Sequence, residues 1–162
     1  MKGLEVIGSY LDEWNIVTIT VRLILAVVCG GAIGLTRSVK RRGAGFKTHA
    51  LVCLGSALVM MTGQYIYVDF GAISDIARLA AQVISGVGFL GVGTIMVTRD
   101  NHVKGLTTAA GLWTCAGIGL SIGIGFYSGA AITTILVLVI YRFMGRVDEI
   151  AYEHKLSAAE KV

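Results

Sequence analysis

Apolar residues run in five long stretches separated by short polar breaks, and their lengths suit bilayer-crossing helices rather than strands. The stretches run from about Ile16 to Leu35, Thr48 to Tyr67, Ile76 to Val97 and Leu106 to Ile122, with a fifth after the tight turn at 123–126 that ends near Met144. Ahead of them, Leu4, Ile7, Leu11 and Trp14 recur at helical spacing with acids on the other side, which predicts a short amphipathic helix in the membrane interface. The pattern divides the chain into an interfacial segment at 1–15, a transmembrane domain at 16–144 and a tail at 145–162. The expected fold class is all-α, a polytopic membrane bundle of about five helices packed through glycine.

Composition supports this reading, with 55% hydrophobic residues, 15% charged and no proline. A soluble domain carries about 25% charged residues. The first residues hold Glu5, Asp12 and Glu13 and lack the basic start of a secretory signal, so the chain is expected to be mature as written. The net charge of +4 comes from basic residues beside the apolar stretches, and no basic surface interleaved with aromatics is present, which sets nucleic acid aside. Cys29, Cys53 and Cys115 lie inside apolar stretches without CxxC spacing and read as small packing residues. Arg22, about two turns into the first stretch, is expected to snorkel to the near surface.

The basic residues also predict orientation. Of the 14 lysines and arginines, Arg37, Lys40, Arg41, Arg42 and Lys47 fall in the first connection, Arg99 and Lys104 in the third, and Arg142, Arg146, Lys155 and Lys161 near the C-terminus. Only Lys2, Arg22 and Arg78 belong to the other side. This asymmetry places the C-terminus in the cytoplasm and the N-terminus outside.

The third stretch is built unlike a plain span. Arg78, Gln82 and Ser85 lie at i, i+4 and i+7, hence on one stripe, and Asp75 is placed to pair with Arg78. A glutamine at that depth is costly without partners, so the stripe is expected to face protein or a cavity, not lipid. Gly30 and Gly34 in the first stretch, and Gly111, Gly117 and Gly119 in the fourth, let backbones approach closely. Gly86, Gly88, Gly91 and Gly93 surround the third, so either several neighbours pack on it or part of it is irregular.

On the basic side, Thr48 and His49 open the second stretch, and Thr107 and Thr108 open the fourth after Lys104. Together with Arg37 they place helix N-termini against a basic surface, which favours anions. His49 could act as a hydrogen-bonding cap or titrate near neutral pH. No HExxH, intramembrane acid pair or serine–histidine motif is present, so no enzyme activity and no cofactor are expected. Magnesium prefers oxygen ligands that include carboxylates, yet no Asp or Glu lies between Val21 and Val68 or in the later stretches. Asp69 and Asp75 sit only at a connection. A dehydrating magnesium path through one chain is therefore disfavoured, whereas a hydrated ion in a carbonyl-lined oligomeric pore stays open.

Three ordered blocks, GGAIGLTRSVKRRGAGFKTHALVCLGSAL, DIARLAAQVISGVGFLGVGTIM and VKGLTTAAGLWTCAGIGLSIG, together resemble the MgtC/SapB membrane domain over about Arg22 to Tyr141. The resemblance implies a multi-pass protein of the bacterial inner membrane, linked to adaptation to low magnesium, survival in host cells and acid tolerance. It also implies either magnesium transport or regulation of other membrane proteins, the ATP synthase among them. Longer relatives append a soluble domain, and this chain resembles the membrane part alone. Thr36 stands where many relatives place an acid, Thr107 where some have asparagine, and Cys115 one place after a cysteine found in some; these positions are tied to virulence-type function in the family.

Two functions follow. One is a regulator that packs its glycine-rich faces into a homo-oligomer or onto another membrane complex. The other is a transporter or channel whose stripe of Arg78, Gln82 and Ser85 is approached from inside by His49, Thr107 and Thr108. The lipid bilayer is a partner in both.

Overall fold

A computed structural model describes residues 15–39, 43–70, 75–99 and 102–159. The expected interfacial helix at Leu4 to Trp14 and the basic residues Lys40, Arg41 and Arg42 lie outside the described residues. Five helices follow in order, α1 Ile16–Val39, α2 Phe46–Phe70, α3 Ile76–Val92, α4 Leu106–Gly123 and α5 Tyr127–Ala159. A helix satisfies its own backbone groups, which is what an apolar sequence of this length demands. Serine and threonine follow the same logic, since Ser56, Thr62, Thr114, Ser121 and Thr134 each donate their hydroxyl to the carbonyl four residues back.

Segments Ile16–Ser38, Phe46–Val68 and Leu106–Gly123 are long and apolar enough to cross a membrane, whereas Ile76–Val92 and Tyr127–Phe143 are shorter apolar helices. The expected third stretch is thus cut short. α3 is helical without interruption to Val92, Gly93 caps it, and the chain then turns into a small antiparallel hairpin, β1 Met96–Val97 with β2 Val103–Lys104. The pairing sets Met96 opposite Lys104 and Val97 opposite Val103. β-branched residues at 94, 95 and 97 favour extended backbone over one more helical turn.

Gly105 joins this hairpin to α4 with φ of 100°, a left-handed conformation. A Cβ there would run into the Thr94 carbonyl and come within 3.1 Å of the Ile95 Cα. Gly105→Ala should therefore cost about 2 kcal/mol or more from backbone strain alone. Amide exchange should quicken across Met96–Lys104 before it does in α1 or α2; unchanged exchange in the hairpin refutes the assignment.

α4 is the central element, with Thr108, Gly111, Leu112, Cys115, Ala116, Ile118, Gly119, Ile122 and Gly123 buried along it. Ala26, Ile33, Cys53, Ala57, Cys115, Ile118, Ile122 and Ala130 form the core. All three cysteines are free thiols, and Cys53 and Cys115 are packed in this core while Cys29 borders it.

Glycine determines the close contacts, as expected for α1. A Cβ at Gly30 would lie 2.6 Å from the His49 carbonyl oxygen of α2, and one at Gly34 would lie 2.7 Å from the Phe46 Cα. Gly119 and Gly123 of α4 bear in the same way on the Cys53 and Ala57 carbonyls of α2. The third stretch departs from expectation. Only Gly91 meets a neighbouring helix, at 3.4 Å from Ala109 Cβ; Gly93 faces its own last turn, and Gly86 and Gly88 have nothing within 4 Å.

Candidate functional site

Two arginines of α1, about four turns apart, grip opposite ends of the bundle. Arg22 is 4% exposed and does not snorkel. Its Nε donates to Tyr127 Oη at 2.9 Å, and its Nη1 donates to the Gly123 carbonyl at 2.8 Å and to Gln64 Oε1 at 3.4 Å. The guanidinium thus satisfies a carbonyl in the last turn of α4, where the helix dipole is negative and a cation is favoured. α1, α2, α4 and α5 meet at this one side chain.

At the other end Arg37 is 8% exposed, with its guanidinium carbon 4.4 Å from the centroid of the Tyr141 ring. Its Nη2 donates to Thr108 Oγ1 at 3.4 Å, and Tyr141 Oη donates to the Thr107 carbonyl at 3.3 Å. His49 is fully buried beside them, its Nδ1 2.9 Å from the Gly45 carbonyl, so Nδ1 carries the proton and donates. The other ring nitrogen, Nε2, is buried and has no hydrogen-bond partner among the described residues. Gly111 makes room for this cluster: a Cβ there would strike the Tyr141 hydroxyl and lie 3.4 Å from His49 Nε2.

Of the residues expected on the basic side, Arg37, His49, Thr107 and Thr108 come together. Lys104 is exposed on β2, and Thr48 lines grooves on the flank of α2. The N-terminus of α2 is closed by its own neighbours, since Ser38 Oγ accepts the Phe46 N–H at 2.8 Å. α4 starts from Gly105 without a side-chain cap.

The stripe on α3 faces away from the rest of the single chain. Arg78, Gln82 and Ser85 are exposed on the outer face of the chain, while Val87 and Gly91 are the buried residues of α3. The stripe therefore faces outward from the described residues of one chain. Asp75 does not turn to Arg78 either; its carboxylate caps α3 by accepting the Ala77 N–H at 3.0 Å. Beside the stripe, an open groove of about 460 Å³ runs between α2 and α3, lined among others by Leu51, Gly55, Val59, Val83, Gly86 and Leu90.

Sequence reasoning missed Arg22, Gln64, Tyr127 and Tyr141 as contact residues. A signal existed: Tyr127 and Tyr141 are about four turns apart on α5, as Arg22 and Arg37 are on α1. Among the described residues no group of three or more His, Cys, Asp or Glu is placed to hold a metal ion.

Glycine-tight packing, self-satisfied helices and arginines buried at both ends define a small helical membrane protein. The chain belongs to the MgtC family, whose model matches residues 23–150. It is 47% identical over 94 residues to YhiD of Escherichia coli (strain K12), whose name provisionally assigns it magnesium transport; the match covers 56% of this chain and 43% of YhiD. A protein of Haemophilus influenzae (strain ATCC 51907 / DSM 11121 / KW20 / Rd) is 41% identical over 126 residues, which is 75% of this chain and 53% of that one. The protein named MgtC of Brucella suis biovar 1 (strain 1330) is 39% identical over 115 residues, 71% of this chain and 46% of its own. The chain thus spans about half the length of the curated relatives it matches. No solved structure matches.

Proposed function

We propose that the chain is a non-enzymatic protein of the bacterial inner membrane that acts in magnesium homeostasis and stress or virulence adaptation by contact with other membrane-embedded protein. The carrying observation is the outer face of α3, where Gln82 and Ser85 are exposed and Gly86 and Gly88 have open space above them. Lipid tails offer a glutamine amide no hydrogen bond, so such a face calls for a protein cover. The basic end that holds Arg37 and the hairpin faces the cytoplasm in this reading, in keeping with the distribution of lysine and arginine.

The name given to YhiD, to which the chain is similar, supports a second reading, transport of an ion or small solute. The buried basic cluster of Arg37, His49 and Thr108 would then suit an anion or a proton-coupled solute better than a bare divalent cation. Flux through proteoliposomes separates the two. Under the first reading the purified full chain carries no magnesium above the leak of protein-free vesicles, by an entrapped magnesium-sensitive dye. Saturable magnesium entry that scales with protein density overturns it.

A further inference from the structure

The outer face of α3 is self-complementary from one end to the other. At its start stand one acid and one base, Asp75 and Arg78, both exposed. The Asp75 carboxylate accepts the Ala77 N–H through Oδ1, which leaves lone pairs for a second donor. In the middle stand Gln82 and Ser85, each both donor and acceptor. At the far end Phe89, 83% exposed, stands on the same stripe as Gln82, two turns on. Next to it lies the groove floored by Gly55 and Gly86, where no atom lies within 4 Å of the missing Cβ positions.

We propose that this face is the contact between two copies of the chain, related by a two-fold axis along the membrane normal. The proposal rests on the reading that protein covers α3, and it names the occupant. A two-fold contact brings the same patch together twice, so every feature must be matched by another feature of that patch. Here each is. Arg78 of one copy faces Asp75 of the other, and the reverse pair forms by symmetry. The two Gln82 amides exchange hydrogen bonds near the axis. Each Phe89 ring enters the groove between α2 and α3 of its neighbour, where glycine leaves room for it. The charge at the start of the patch sums to zero, so pairing brings together no uncompensated charge, unlike the lysine- and arginine-bearing end of the molecule.

The test uses the full chain in liposomes at low protein density. Ser85→Cys should give a covalent dimer when a membrane-permeant oxidant is added, whereas Ile135→Cys, exposed on α5 away from this face, should stay monomeric. In parallel, donor- and acceptor-labelled chains with native Ser85 should show energy transfer that Gln82→Leu weakens by about tenfold in dimer affinity, the loss of one interhelical hydrogen-bonded pair. Gln82 is exposed in the single chain, so the helical circular dichroism of this variant should match the parent. Phe89→Ala gives a second, independent weakening through the groove. Monomeric Ser85→Cys, or energy transfer untouched by both Gln82→Leu and Phe89→Ala, overturns the dimer. If Ser85→Cys then crosslinks to a different protein in native membranes, α3 is covered but not by a second copy. Labelling of Ser85→Cys by a lipid-phase thiol reagent in native membranes, with no crosslink to any protein, removes the wider reading as well.

Discussion

Gly119→Ala should take apart the junction between α2 and α4, while Gly117→Ala, two positions away on the same helix, should leave the protein intact. A Cβ at Gly119 would overlap the Cys53 carbonyl oxygen and lie 2.8 Å from Ser56 Cβ and 3.0 Å from the Cys53 carbonyl carbon. Two of these neighbours are backbone, so no rotamer change relieves the overlap and the helices have to separate. Separation also opens the contact at Gly123, whose Cβ position lies 2.6 Å from the Ala57 carbonyl. In lipid no hydrophobic gain compensates for the lost packing, because the tails are as apolar as the side chains. The expected cost is about 3 kcal/mol, seen as a fall in Tm of roughly 6–12 °C for a chain of this size. At Gly117 nothing lies within 4 Å, and alanine there should be neutral or gain up to about 1 kcal/mol of helix propensity. Thermal unfolding of the two variants in detergent, followed by circular dichroism, checks the contrast. Equal midpoints would mean that α4 does not rest on α2 through Gly119.

The contrast also shows how much of the molecule can be read from the chain. Five apolar stretches are five helices, and the glycines of the first stretch sit where α1 meets α2. Hydropathy finds the helices well, because the bilayer demands long apolar segments, although it overran the end of the third. It does not fix which way a helix is turned. α3 has a polar stripe and an apolar one, and either could face inward. The inner side went to Val87 and Gly91, the latter meeting Ala109 of α4 at van der Waals distance, which leaves Gln82 and Ser85 outside a single chain. That polar groups avoid lipid does not decide which stripe one copy turns inward. The hairpin at Met96–Lys104 was hidden for another reason, because its strands are too short to show an alternating pattern.

Arg22 was hidden because its partners are remote in sequence. Gln64, Gly123 and Tyr127 lie on other helices or at their ends, and nothing local to the first stretch separates a buried arginine from a snorkelling one. Replacing it should accordingly be costly. Arg22→Met fits the apolar surroundings in shape, and trading a buried charge for a hydrophobe is often harmless when the partner charge leaves with it. The described partners, Gln64, Gly123 and Tyr127, are neutral and remain. The buried Gly123 carbonyl in the last turn of α4 and the part-buried Tyr127 hydroxyl lose their hydrogen bonds to the guanidinium. The orphaned groups outweigh the relief of desolvation, and a loss of about 2–4 kcal/mol is expected. Arg22→Lys keeps the charge at the negative end of α4 but not the fork that reaches tyrosine and carbonyl together, so it should fall between the parent and methionine. The order parent, lysine, methionine in Tm, with Tyr127→Phe no worse than lysine, is the signature of a guanidinium that pins four helices. Methionine as stable as the parent would show that Arg22 is tolerated in the core rather than needed there.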